Sequence, residues 1–143
     1  LRRFGVGRAQ AMRLGGPTRA RPVDASAVEL VLEGAASAAL PIMVFVGNRG
    51  CVQIHSGPVE RIKRMGSWLN VLDPRFNLHL REDRIAAAYV VRKPSLRGDI
   101  HSLGLFDAGG ECFCQIFGAR PPGGTERADW RELVTGLPGA VPC

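Results

Sequence analysis

The chain has 143 residues, 45% of them hydrophobic and 22% charged, with a formal net charge of +6. That length predicts one domain with a single well-buried core, and the composition is ordinary for a soluble globular protein. No apolar run approaches the roughly 20 residues needed to span a bilayer; the longest candidate, Ala35–Val46, contains Pro41. No charged, apolar and small-residue segments follow one another as a secretory signal would, and a start at Leu1, with Arg2 and Arg3 next to it, suggests a fragment or processed chain.

The excess positive charge is arginine. Arg2, Arg3, Arg8, Arg13 and Arg19 fall in the first 20 residues, with Arg21 just after. An acidic partner is one implication: nucleic acid, anionic lipid or a carboxylate-bearing ligand; a solvated face is the other. The four cysteines, Cys51, Cys112, Cys114 and Cys143, include no C-x-x-C pair. Cys112 and Cys114 are two apart, so on a regular strand they face the same way, and a metal site would need more ligands. Reduced thiols in a cytoplasmic protein are the better reading.

In chain order, residues 7–14 hold good helix formers and stop at Gly15-Gly16-Pro17. Thr18–Val23 reads as a basic loop. Asp24 or Ser26 can cap a second helix near 24–38, with Ser26 and Glu29 in capping-box spacing; Val28, Val31, Leu32, Ala35 and Ala39 form its apolar stripe. Ile42–Val46 and Cys51–His55, joined by Gly47-Asn48-Arg49-Gly50, predict a β-hairpin. Val59–Met65 and Phe76–Arg81 alternate as strands, on either side of an apolar stretch broken by Pro74. A turn at Glu82–Arg84 leads into a strand on which Tyr89, Val91 and Lys93 share a face. Ile100–Phe106 and Glu111–Phe117 form a second hairpin around Asp107-Ala108-Gly109-Gly110, with Phe113, Gln115 and Phe117 on one face and Cys112, Cys114 and Ile116 on the other. Thr125 caps a last helix near 125–136, whose Trp130, Leu133, Val134 and Leu137 lie on one side. The expected fold is α+β: one large antiparallel sheet flanked by helices, with a single domain over 1–138 and a frayed tail over 139–143.

No ordinary hydrolase or transferase site is legible. His55, His79 and His101 have no metal-site spacing, and there is no nucleophile elbow and no phosphate loop. Asp73, Glu82 and Asp83 are scattered acids without evident pairing. His55 reads as a structural hydrogen-bonding residue and His101 as ordinary surface.

Several blocks in order carry a resemblance. MVFVGNRGCVQIHSGPV, WLNVLDPRFNLHLRED, VVRKPS, SLGLFDAGGE and QIFGAR resemble the C-terminal repeat of the cytoplasmic hemin-degrading, HemS/ChuS-type heme-utilisation proteins, over roughly Leu1 to Pro138. Full-length members carry two such repeats. The resemblance implies heme held between the C-terminal sheet and helices, with Arg8, Lys93 and Arg120 on the propionates and Gln115 and Phe117 beside the macrocycle. The family often has Tyr where this chain has Phe117. It places the iron-ligating histidine just upstream of the LRRFG equivalent, before Leu1, and it offers His79, in FNLHL, as a secondary iron ligand.

The implied function is heme binding in bacterial iron acquisition: hemin taken up after import, then passed on or opened. Chemistry on heme belongs largely to the cofactor, which accounts for the absence of an acid/base pair. The implied partners are hemin and either a missing N-terminal repeat or a second copy joined through a sheet edge. The alternative is a basic module that binds nucleic acid or protein through its arginine-rich N-terminus. Single-strand binding would want aromatics beside that patch, and only Phe4 is near.

Overall fold

The computed structural model describes residues 5–140. Nine strands and three helices alternate along it: α1 (Arg8–Gly15), β1 (Ala20–Val23), α2 (Ala27–Ser37), β2 (Ile42–Gly47), β3 (Val52–Gly57), β4 (Ile62–Met65), β5 (Trp68–Asp73), β6 (Phe76–Arg81), β7 (Ala87–Lys93), β8 (Ile100–Phe106), β9 (Cys112–Gly118) and α3 (Ala128–Thr135). All pairings of these strands are antiparallel. The α+β class with a large antiparallel sheet is as expected. The sheet is not single, however. Six strands run in the order β1-β7-β8-β9-β2-β3, and β4-β5-β6 form a separate three-stranded sheet.

The break comes between β3 and β4, where the expected strand Val59–Met65 begins only at Ile62. The Asp73 carboxylate, nearly buried, accepts the Glu60 and Arg61 backbone N–H groups at 3.0 and 2.8 Å. Those donors are therefore drawn away from any ladder, and Asp73 has a structural partner after all.

The core lies on one face of the six-stranded sheet. Ile42, Val44, Leu103, Leu105, Cys114 and Ile116 point there and are shut off from solvent. Against them pack Val28, Val31, Leu32 and Ala35 of α2, Trp130 and Val134 of α3, and Leu69, Val71 and Leu80 of the small sheet. Trp130 is fully buried and donates its indole N–H to the His101 carbonyl at 3.0 Å. It lies against Gly118, where a Cβ would fall 2.5 Å from the indole Cγ, so only glycine lets α3 come this close to β9. Arg64 ties the small sheet to α2, pairing with Glu29 at 2.5 Å and also with Glu82.

Three local expectations are corrected. The predicted basic loop at 18–23 contains the edge strand β1, paired with β7. Pro22 is tolerated because the strand is at an edge. Arg21 on it donates to the α3 carbonyls of Val134 and Thr135 and to Leu137, at 2.9–3.1 Å, a cation on a helix C-terminus. The capping box does not form: Asp24 accepts the Ser26 N–H at 2.9 Å, while Glu29 goes to Arg64. The last helix is capped at Arg127 rather than Thr125, with Asp129 accepting the Trp130 N–H at 2.9 Å. In the expected tail, Gly139 bridges to Val23 and the Ala140 N–H donates to Pro22; residues 141–143 lie outside the described ones.

Candidate functional site

The other face of the six-stranded sheet is only partly covered. Towards β1 and β7, α1 lays Ala9 and Met12 on Ala20, Tyr89 and Phe106. Towards β9, β2 and β3, no helix among the described residues lies over it. Register places Met43 opposite Phe117, Phe45 opposite Gln115, and Phe45 opposite Ile54 on the far side. Phe45 and Phe117 meet edge to face, with ring centroids 5.4 Å apart. Val52 and Ile54 are 59% and 49% exposed, although both are aliphatic. A cleft of about 1210 Å³ opens over this region, lined by Arg8 at the start of α1 and by Phe45, Val52, Cys112, Phe113 and Gln115, among others.

A β-bulge shapes the cleft. Leu105 pairs with Cys114, but Phe106 pairs with Cys112, so one extra residue, Phe113, is inserted into β9. The two cysteines, expected on one face, are thereby separated. Cys114 turns into the core, where burial pushes its thiol up to about 12. Cys112 turns to the open face beside Phe106 and Arg8. Burial raises its thiol as well, and the Arg8 guanidinium works against that shift.

The other expected site residues are distributed as follows. Arg8 and Gln115 line the large cleft. Phe117 adjoins it through Phe45. Lys93 ends β7, opposite Ile100 and on the same face as Tyr89 and Val91. Arg120, two residues past β9, lines a second, smaller cleft of about 460 Å³ at the other end of the sheet. The cations therefore flank the open face from two ends and do not share one cleft.

None of the three histidines is on that face. His79 lies on β6, in the small sheet. The Asn70 amide nitrogen donates to the Lys63 and Trp68 carbonyls at 3.0 and 3.3 Å, so its Oδ1 accepts from His79 Nδ1 at 2.7 Å and leaves Nε2 free. His55, opposite Val44, stacks on Phe76 at 3.8 Å with Nε2 3.2 Å from the Pro58 carbonyl, the structural role expected of it. His101 is not ordinary surface. It is buried under α3, with Nδ1 2.8 Å from Glu126 Oε2 and its backbone N–H 2.5 Å from Oε1, and Arg131 donates to the same carboxylate at 3.2 Å. Among the described residues no cluster of His, Cys, Asp and Glu could hold a metal ion, and no helix is long and apolar enough to cross a membrane.

The family model for the haemin-degrading HemS.ChuX domain matches residues 5–137. The chain belongs to that family. It is 41% identical over 137 residues to the hemin transport protein HemS of Yersinia enterocolitica, covering 96% of this chain and 40% of that protein. Among solved structures it resembles apo-PhuS, a heme-binding protein from Pseudomonas aeruginosa, at 48% identity and a TM-score of 0.95, covering 98% of this chain and 41% of that one. It also resembles ChuS, an E. coli heme oxygenase, at 44% identity and a TM-score of 0.92, covering 96% and 42%. The chain thus spans about two fifths of the length of these family members. ChuX, at 12% identity and a TM-score of 0.69, shares the fold.

Proposed function

We propose that this domain binds heme on the open face of the six-stranded sheet and serves heme uptake, trafficking or breakdown in bacterial iron acquisition. The observation that carries the reading is the pairing of an uncovered aromatic and aliphatic sheet surface with two cations, Lys93 and Arg120, at one of its ends. Heme is a flat apolar macrocycle with two carboxylates, and the residues fit it. Phe45 and Phe117 offer ring faces and edges to the porphyrin, with Gln115 between them. The two carboxylates of heme leave one edge of the ring side by side, so one end of the face holds both: Lys93 and Arg120 there can meet them, Arg120 through two parallel N–H donors, while Arg8 flanks the opposite edge of the ring. Phe117 has no hydroxyl, so it contributes packing alone. Bound heme would supply the iron and its ligand chemistry.

Iron ligation has a different source. His55 points to the core side, His79 is on the other sheet, and His101 is held by Glu126. An imidazole on the iron would then come from the segment that the family resemblance places just upstream of the LRRFG equivalent, and the residues described hold hemin by packing and charge. A cytoplasmic setting suits the free thiols of Cys51, Cys112 and Cys114. The rival basic module loses one of its cations, since Arg21 is committed to α3.

Hemin titration followed by absorbance tests this. The expected outcome is saturable binding with a broad Soret band. Affinity should fall roughly tenfold in Arg120→Ala, the size of one hydrogen bond to a charged group, and the band should be unchanged in His79→Ala. A sharp, ligated band lost in His79→Ala would move the iron to the small sheet. No saturable binding would reject the reading.

A further inference from the structure

The smaller cleft contains a residue that its place in the sequence does not single out. Arg97 sits in the β7–β8 connection, and the cleft is lined by Ser95, Arg97, Ile100, Arg120, Gly123 and Thr125, among others. The turn that projects it is well bonded: the Ser95 hydroxyl donates to the Gly98 carbonyl at 2.6 Å and accepts the Arg97 N–H at 3.3 Å, and Ser95 and Gly98 exchange both backbone bonds at 3.2 Å. The guanidinium rests on Gly123. A Cβ at that position would fall 2.5 Å from Nη1, so the guanidinium lies directly on the backbone there, and the φ of +72° favours glycine.

The acids nearby are already engaged. Asp99 pairs with Arg92 at 3.4 Å, and Glu126 is shared between His101 and Arg131. Among the described residues neither Arg97 nor Arg120 has an ion-pair partner. Two guanidinium groups therefore line one small cleft whose own carboxylates, Asp99 and Glu126, are paired with other groups, an arrangement that favours a planar anion. Ile100 joins this cleft to the open face. It lies opposite Lys93 and is two residues from Ser102, which is opposite Phe117.

We propose that Arg97 acts with Arg120 to clamp a propionate carboxylate of a heme lying over Phe117 and Gln115. The proposal rests on the heme-binding reading and adds to it a binding residue.

The test compares hemin with hemin dimethyl ester, whose propionates carry no charge, on the wild type and on Arg97→Ala, Arg97→Gln and Arg97→Lys. Thermal unfolding of each variant monitors the fold. Both neutral variants should bind hemin roughly tenfold more weakly, bind the ester as the wild type does, and unfold at the wild-type temperature; Arg97→Lys should recover part of the loss. Hemin affinity unchanged in the neutral variants, with the wild type binding well, would overturn the clamp and leave the heme reading standing. An equal loss for hemin and ester would also overturn it, since the residue would then act by packing. A wild type that binds neither ligand would reject the heme reading and the clamp together.

Discussion

The two faces of the six-stranded sheet are made by alternate residues of the same strands, yet they differ in every physical respect. On the covered face, Val44, Leu103, Leu105 and Ile116 are at most 1% exposed and meet α2, α3 and the small sheet. On the open face, their neighbours in sequence Phe45, Gln115 and Phe117 stay half-buried, and Val52 and Ile54 stay exposed. Apolar side chains left in water do little for stability, and a contiguous patch of them marks a binding surface. On the proposed reading, stability and binding are divided by strand parity, and a substitution at one position should move one property and spare the other.

The sharpest way to break that division is at Trp130. Trp130→Ala empties the largest buried site on the covered face and leaves the His101 carbonyl without its indole donor. The unfolding free energy should fall by about 3–5 kcal/mol, while hemin affinity per folded molecule stays unchanged. Urea unfolding and titration on the same preparation check it; a parallel loss of affinity would couple the two faces.

A smaller effect should come from the thiol pair that the bulge separates. An ordinary thiol releases its proton near 9.0, whereas Cys114 holds its own up to about 12. The raised value in the folded state means that this contribution to stability is complete below about 9 and is lost as pH rises to about 12. Stability should fall over that range by at most about 1.4 kcal/mol per pH unit from this group, and Cys114→Ala should flatten the limb. Equal slopes for the two proteins would show that the thiol does not titrate as described.

The smallest effect on stability, with a clear one on binding, is expected on the open face. Phe45→Ala and Phe117→Ala should each weaken hemin binding by about 1–2 kcal/mol and change unfolding by less. Chemical denaturation beside hemin titration distinguishes the outcomes; large destabilisation by either change would make that face part of the core.

Much of this was readable from the residues, and the failures have physical causes. The hairpins at 42–57 and 100–118 announce themselves through Gly/Asn and Gly-Gly turns, and α2 and α3 through their apolar period. Alternation cannot say which sheet a strand joins, and so the small sheet went unseen; what separates it is a side chain, Asp73, bonded to backbone twelve and thirteen residues away. β1 looks like a loop because its partners, β7 and the end of α3, are remote in sequence. His101 looks exposed because its cover comes from residues 126–131. The bulge that moves Cys112 breaks the two-residue period within the strand itself. Of the proposed site, Arg8, Lys93, Gln115, Phe117 and Arg120 are named by the family resemblance, and the open face that Gln115 and Phe117 lie on comes from the structure. Arg97 carries no periodic or motif signal, since its position depends on a six-residue connection meeting a glycine from another loop.

The bonds that tie residues 138–140 to residues 22–24 have a consequence for the outer edge of the six-stranded sheet. The Asp24 N–H donates to the Pro138 carbonyl and the Ala140 N–H to that of Pro22, with Val23 bridged to Gly139 between them. Residues 138–140 therefore run beside β1 and take up backbone groups that an edge strand would otherwise leave open. A short segment of this kind blunts an edge that a strand of another molecule could otherwise join.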